Sequence, residues 1–157
     1  MRQGKPIYYW DANVFLAWLK DERRKPGEME GLAEVIAMID RQEAILMTSV
    51  MTRTEVLESS LPARAQNLFD KIFDRQNIVS VDVTAPIGNL AHQIRDYYRQ
   101  NGRSLKTPDS IHLATAINCK ADELHSFDED DLIPLSGNIA GYRLIICKPK
   151  GMQGVLF

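Results

Sequence analysis

The chain has 157 residues, 45% of them apolar and 25% charged, with a formal net charge of −2. A length of this order predicts a single domain, residues 1–157, and the composition is typical of globular proteins. The slightly acidic balance excludes a protein that binds nucleic acid through its overall charge, so such a ligand would need a local basic patch or a metal ion.

Cysteine content and hydropathy predict a cytoplasmic protein. The two cysteines, Cys119 and Cys147, are too few for a disulfide framework and do not have a metal-ligand spacing. The first residues carry an acid inside their apolar stretch and lack the small-residue cleavage site of a signal peptide. No uncharged apolar run approaches the ~18 residues that a membrane span requires, so no membrane partner is expected.

The first half of the chain alternates short apolar runs with amphipathic segments. Residues 7–10 form a continuous apolar run, which is typical of a strand buried on both faces of a parallel sheet. Helices are predicted over residues 13–20 and 29–42, where apolar residues recur at helical spacing. A strand over 44–47, a helix over about 50–60 and a helix that begins at Pro62 follow.

The second half continues the same alternation. A strand is predicted over residues 77–83, and a long helix over 85–101 ends at Gly102. A helix over 107–120 follows, with Thr107 as its N-cap and Pro108 at its first position. Residues 123–126 and 143–147 are the last two strands. This order predicts an α/β fold with about five strands in a mostly parallel sheet and helices on both faces.

Four acids lie where a predicted strand has ended or a predicted helix begins: Asp11, Glu55, Asp109 and Asp128. Ligands of such sheets bind outside the carboxyl ends of the strands, where strand order reverses, so these four side chains could converge there. Carboxylates are costly to hold together unless something positive lies between them. Convergence would therefore indicate a divalent cation and phosphodiester chemistry.

The first three acids each have a purely structural interpretation as well. Asp11 could cap the helix that follows it, although Asn13 competes for that role, and capping is the role expected of Asn13. Glu55 ends the sequence TRTE (residues 52–55), which fits a capping box. Asp109 in the first turn of its helix suits the helix dipole. His112, one turn later, is interpreted as a hydrogen-bonded packing residue.

The fourth acid opens an acidic run that could simply be the solvated start of a helix. Asp128 is its first member, and the sequence does not exclude Asp130 or Asp131 as the working acid. Ser126 could orient Asp128 through a local hydrogen bond.

Four stretches together resemble a known family: YYWDANVFL near the start, TSVMTRTEVLE, TPDSIHLATA and LHSFDEDDL. The chain resembles a PIN domain, and more closely the VapC-type toxins of toxin–antitoxin pairs. The resemblance implies that Asp11, Glu55, Asp109 and Asp128 form an acidic quartet, which Asn13 and Ser126 would support. It also implies a Mg²⁺- or Mn²⁺-dependent endoribonuclease, a homodimer and a cognate antitoxin partner.

An RNA substrate would have to be held by positive side chains. The best local patch lies on the long helix and the loop after it, and Arg53 near Glu55 is a second candidate. The alternative is an ordinary solvated helix face. The patch comprises Arg95, Arg99, Arg103 and Lys106.

Two other functions compete with the nuclease. A phosphatase would use Asp11 as a covalent nucleophile after the first strand, but residues 11–13 lack the second aspartate of the usual D-x-D pair. A non-catalytic PIN-like binding module would keep the fold without the chemistry, and degenerate members of that kind are expected to lose acids.

Overall fold

The computed structural model describes residues 4–151, and its centre is a five-stranded parallel sheet in the order β3-β2-β1-β4-β5. The strands are β1 (Ile7–Trp10), β2 (Ile45–Ser49), β3 (Ile78–Val81), β4 (Glu123–His125) and β5 (Ile145–Cys147). The helices are α1 (Ala12–Lys20), α2 (Glu28–Asp40), α3 (Met51–Leu57), α4 (Ala63–Ile72), α5 (Ala85–Gln100) and α6 (Thr107–Asn118), and a 3₁₀ turn spans Ile133–Leu135. The predicted α/β class and strand number are confirmed.

The two faces of the sheet are covered by different helices. Side chains alternate along β1, so that Tyr8 and Trp10 join one apolar cluster while Tyr9 joins the other. The first cluster packs α1, α2 and α4 against the sheet, and the second packs α5 and α6. All three aromatic side chains are buried, which explains why β1 reads as a continuous apolar run rather than an alternating one.

Strand order reverses next to β1. The chain moves outward from β1 through β2 to β3, and then returns to place β4 on the other side of β1. The carboxyl ends of β1 and β4 therefore flank the position where an open parallel sheet normally binds its ligand. Asp11 directly follows β1, and Ser126 directly follows β4.

Helix starts differ from the predictions in three places. Asp11, not Asn13, is the N-cap of α1, because its Oδ1 accepts from the backbone N–H of Val14 at 3.2 Å. Lys106 rather than Thr107 precedes α6, and no side chain caps that helix. In both helices the N-cap position lies one or two residues earlier than the sequence signal suggested.

The predicted capping box at residues 52–55 is also wrong. Thr52 is buried, and its hydroxyl meets the hydroxyl of Thr48 at 2.7 Å instead of the end of α3. Thr48 donates its only hydroxyl proton to the carbonyl of Trp10 at 2.7 Å, so Thr52 must be the donor to Thr48. This pair ties α3 to β2 and β1 and frees Glu55 from any capping role.

The segment after β5 packs closely on α2. Gly31 lies so near Pro149 that a β-carbon on Gly31 would come within 2.2 Å of the Pro149 carbonyl oxygen. Lys148 forms ion pairs with the buried Glu28 of α2 and with Glu129, the residue after Asp128. The C-terminal segment thus connects α2 to the loop that follows β4.

Within residues 4–151 no helix is long and apolar enough to cross a membrane. Cys119 and Cys147 are both free thiols.

Replacement of Gly31 with Ala tests the close contact between α2 and the C-terminal segment. The added methyl group would meet backbone that cannot rotate away, so we expect the free energy of unfolding to fall by about 1–3 kcal/mol. Chemical denaturation measures this change.

Gly88, near the start of α5, is the matched control, because a β-carbon there meets nothing within 4 Å. Gly88→Ala should raise the free energy of unfolding by about 0.5–1 kcal/mol through helix propensity alone. Equal gains in the two variants would contradict the packing described for Gly31.

Candidate active site

Asp11 is a buried carboxylate at the carboxyl end of the central strand. Only 4% of its surface is exposed. Oδ1 accepts from the N–H of Val14, and Oδ2 accepts from the Ser126 hydroxyl at 2.9 Å. Burial raises the pKa of Asp11, with these hydrogen bonds and His112 acting against the shift and Glu55 adding to it.

Ser126 connects the ends of β1 and β4. Its hydroxyl donates to Asp11, and its Oγ accepts from the backbone N–H of Asp128 at 3.1 Å. The expected local hydrogen bond between Ser126 and Asp128 is thus present, although it reaches the backbone rather than the carboxylate. Ser126 fixes the loop that carries Asp128 relative to Asp11.

Asp128 is the member of the acidic run that faces the other acids. Its charge contributes to the raised pKa of Asp109. Its Oδ1 accepts from the backbone N–H groups of Asp130 at 3.1 Å and Asp131 at 2.8 Å, so these two residues hold the Asp128 carboxylate in place. The side chains of Asp130 and Asp131 are exposed.

Glu55 reaches the site from α3, where it is held by a histidine. Its Oε1 lies 2.7 Å from Nε2 of His112 on α6. The His112 ring is only 1% exposed, and its Nδ1 lies 2.6 Å from the hydroxyl of Tyr9, which is completely buried. The interpretation of His112 as a hydrogen-bonded packing residue is confirmed, but its partner is one of the four acids.

Asp109 lies in the first turn of α6 and carries the clearest electrostatic signature of the site. Burial, together with the charges of Asp11 and Asp128, raises its pKa to about 6. His112 and Lys106 act in the opposite direction but do not cancel the shift.

The structure therefore brings Asp11, Glu55, Asp109 and Asp128 to one edge of the sheet from four separate elements. Asp11 interacts electrostatically with Glu55, and Asp109 interacts with Asp11 and Asp128. Within the described part of the chain, none of the four forms an ion pair with a lysine or arginine. Carboxylates grouped without positive partners match the oxygen-only ligands that Mg²⁺ prefers.

Asn13 lies two residues after Asp11 in the first turn of α1, with an exposed side chain. Of the two residues expected to support the quartet, the structure ties Ser126 to it by hydrogen bonds, and the role of Asn13 stays a prediction.

A second group of side chains that could bind a metal ion lies on one face of β4 and β5. The ligand atoms of Glu123, His125 and Cys147 lie within 4.8 Å of one another, which makes them the tightest such group in residues 4–151. Register explains the group, because His125 pairs with Cys147 across β4 and β5 and Glu123 is two residues before His125 on the same face. The sequence spacing of the two cysteines gave no sign of it.

Hydrogen bonding in this second group opposes metal binding. The indole N–H of Trp10 can only donate, and it meets Nδ1 of His125 at 3.0 Å, so the ring proton must lie on Nε2. That proton is donated to Oε1 of Glu123 at 2.9 Å, which leaves His125 no lone pair for a metal. Burial and the charge of Glu123 raise the pKa of the Cys147 thiol to about 12, which keeps the sulfur protonated.

The predicted basic residues fall into two places. Arg53 stacks on Phe73 at 4.9 Å and pairs with Asp70 at 3.6 Å, so it is engaged with α4. Arg95, Arg99 and Arg103 line a cavity of about 570 Å³ between α5 and the loop before α6. Lys106 lies at the end of that loop, close enough to Asp109 to lower its pKa.

Replacement of Asp109 with Asn tests the electrostatic cost of the grouped acids. The folded-state pKa of about 6 lies above the unfolded value, so the folded protein binds more protons than the unfolded chain between about pH 4 and pH 6. Stability is therefore lost as pH rises through this window. At pH 7 the metal-free Asp109→Asn variant should be more stable than the parent by about 1 kcal/mol, since partial exposure and solvent screening moderate the effect.

Thermal denaturation in chelator from pH 4 to pH 7 measures this difference, which should vanish toward pH 4. Asp82→Asn at an exposed position is the control and should show no such trend. Identical pH profiles for the two variants would show that Asp109 is not strained by its neighbours.

Comparison with solved structures places the fold among toxin–antitoxin proteins. VapBC2 from Rickettsia felis, bound to a DNA fragment from its promoter, matches with a TM-score of 0.67 at 14% identity, over 89% of this chain and 98% of that one. VapC20 from Mycobacterium tuberculosis, described as a sarcin–ricin loop cleaving toxin, matches with a TM-score of 0.57 at 18% identity, over 78% and 91%. A toxin–antitoxin complex from Klebsiella pneumoniae matches with a TM-score of 0.59 at 19% identity, over 87% and 99%.

No curated protein matches the sequence. At the identities above, the structural matches establish the fold alone. The family model of the PIN domain matches residues 8–133, which include all four acids and most of the chain. The resemblance seen in the four sequence motifs is thereby confirmed, and the chain belongs to the PIN domain family.

Proposed function

We propose that this protein is a Mg²⁺- or Mn²⁺-dependent endoribonuclease and the toxin of a type II toxin–antitoxin pair. The observation that carries the proposal is the convergence of four carboxylates, one of them buried, without a lysine or arginine to neutralise them. Membership of the PIN domain family and a fold shared with VapC-type toxins support it.

The four acids would hold the cation, and their surroundings prepare them for it. A divalent cation at such a site neutralises charge on the phosphate and makes water a better nucleophile at neutral pH. Asp11 would be the best-oriented ligand, because Ser126 and Val14 fix both of its oxygens. Asp109 would gain most from the cation, since burial first and then the charges of Asp11 and Asp128 raise its pKa, and a cation would favour its ionised form.

The RNA would be held by the basic cavity beside α6. Arg95 is oriented by a hydrogen bond from its Nε to the carbonyl of Leu105 at 2.8 Å, and Arg99 pairs with Asp96 at 2.6 Å. Arg103 and Lys106 continue the same surface toward Asp109. Binding of successive RNA phosphates along this basic surface would place the RNA backbone next to the four acids. Arg53 is a weaker candidate, because Phe73 and Asp70 engage its guanidinium.

The protein partner would be a cognate antitoxin. The structures that share this fold include several toxin–antitoxin complexes. An apolar cleft of about 100 Å³ between α1, α2 and α4, lined by Trp18, Ile36 and the exposed Leu68, offers a surface for an apolar segment of that partner. A homodimer and a cytoplasmic location belong to the same proposal.

The two competing functions make different use of the acids. A phosphatase would need Asp11 as a free nucleophile, whereas both of its oxygens already accept hydrogen bonds in a site that is 4% exposed. A binding module without chemistry would have no reason to keep four acids together at an electrostatic cost. A trapped aspartyl-phosphate on Asp11 would support the phosphatase.

Replacement of Asp11 with Asn tests the nuclease directly. The amide keeps the shape of the side chain but removes the charge that would bind the cation, so cleavage of total RNA in Mn²⁺ should fall at least about 100-fold. The parent should also lose activity in chelator. Gel analysis of the RNA, with circular dichroism to show that the variant is folded, measures the effect.

Asp130→Asn is the matched control from the same acidic run, and it should keep parental activity because only its backbone N–H contacts Asp128. Undiminished cleavage by Asp11→Asn would overturn the nuclease assignment.

A further inference from the structure

We propose that Tyr9 and His112 form a buried positioning pair that orients Glu55 and thereby sets the affinity of the acidic quartet for its divalent cation. This inference rests on the proposed function. Neither residue would touch the cation or the RNA. Both would act through one oxygen of Glu55.

The pair is a continuous chain of short hydrogen bonds through the core. Tyr9 is completely buried in the middle of β1, and its hydroxyl lies 2.6 Å from Nδ1 of His112. Nε2 of His112 lies 2.7 Å from Oε1 of Glu55, whose side chain is 27% exposed. This series of hydrogen bonds therefore begins in the buried core and ends at the acidic site.

The direction of the proton between His112 and Glu55 follows from what each partner can donate. An ionised Glu55 only accepts, so Nε2 of His112 carries the proton between them. The Tyr9 hydroxyl can donate to Nδ1 or accept from it, so the 2.6 Å contact is a hydrogen bond in either case. Burial raises the pKa of Tyr9 well above its ordinary value, so the hydroxyl keeps its proton. Each polar atom in the interior has a partner.

Packing alone does not explain these side chains. Tyr9 belongs to an apolar cluster with Ile94, Leu113 and Leu124, and the buried ring of His112 packs edge-on against Tyr9. Phe and Leu would fill similar space there without polar atoms to satisfy. Buried polar pairs of this kind are often no more stable than an apolar replacement. The Tyr9 hydroxyl is also within hydrogen-bonding reach of the Thr115 side chain and the Ser49 backbone. Nε2 of His112, on the far side of the ring from Tyr9, contacts Glu55.

The pair also relates Glu55 to the rest of the quartet. Tyr9 lies two residues before Asp11 on the central strand, and His112 lies one helical turn after Asp109. The imidazole of His112 thus connects Glu55 of α3 to the strand that precedes Asp11 and to the helix that carries Asp109. Oε1 of Glu55 is engaged by His112, and no described residue donates to Oε2, so Oε2 is the oxygen that would be available to a cation.

His125 provides a matched comparison on the opposite face of the sheet. It is equally buried, it is held by Trp10 of β1, and it donates to a glutamate, Glu123. Glu123 is not one of the four acids. A substitution at His125 therefore reproduces the loss of a buried histidine without disturbing Glu55.

The test is the affinity for Mn²⁺ of the metal-free, full-length protein, measured by isothermal titration calorimetry without RNA. Loss of a residue that orients a metal ligand typically weakens binding 10- to 100-fold, so His112→Leu should raise the Kd at least about tenfold. His112→Gln, whose amide can still donate to Glu55, should stay within about threefold of the parent. The Kd of Tyr9→Phe should lie between those of the two His112 variants.

The control His125→Gln should leave the Kd unchanged even where thermal denaturation shows a loss of stability. If His112→Leu and His125→Gln weaken Mn²⁺ binding equally, the effect reflects loss of fold stability, and the inference is overturned. Parental affinity in both Tyr9→Phe and His112→Leu would also overturn it. If Asp11→Asn binds Mn²⁺ as the parent does, the proposed function itself fails, which separates the two claims.

Discussion

The structure depends on one costly arrangement, the burial of the Asp11 carboxylate at the carboxyl end of the central strand. A charge in such a position is tolerated only when hydrogen bonds or an opposite charge compensate it. Here the N–H of Val14 and the hydroxyl of Ser126 provide the hydrogen bonds, and the pKa of Asp11 is still raised. The compensation is incomplete, and a cation would complete it.

Around Asp11, hydrogen bonds from neighbouring residues hold the acids in place. Ser126 joins the loops after β1 and β4, and the backbone of Asp130 and Asp131 holds the carboxylate of Asp128. The Lys148 ion pairs to Glu28 and Glu129 secure the same loop from outside. These contacts connect the site to the ends of β1 and β4, to α2 and to the segment after β5.

Local patterns were enough to predict the architecture but not the support of the site. Continuous apolar runs and helical spacing predicted every strand and helix to within a few residues, because these signals depend on neighbours in sequence. The positions of the four acids followed from strand ends. The contacts of Glu55 with His112 and of His125 with Trp10 could not be predicted, because the partners are 57 and 115 positions apart in the sequence. The predicted cap at Thr52 was wrong because a tertiary hydrogen bond to Thr48 engages its hydroxyl. The predicted cap at Asn13 was wrong because Asp11 makes the local capping bond instead, and no side chain caps α6 at Thr107.

The most direct measurement is a crystal structure of the protein grown with Mn²⁺ and recorded at a wavelength where manganese scatters anomalously. The account predicts an anomalous peak from a manganese ion that Asp11 coordinates. Asp109, Asp128 or Glu55 should coordinate the same ion, directly or through water. Manganese bound only at Glu123, His125 and Cys147 would contradict the account. So would the absence of a peak at the four acids in saturating Mn²⁺.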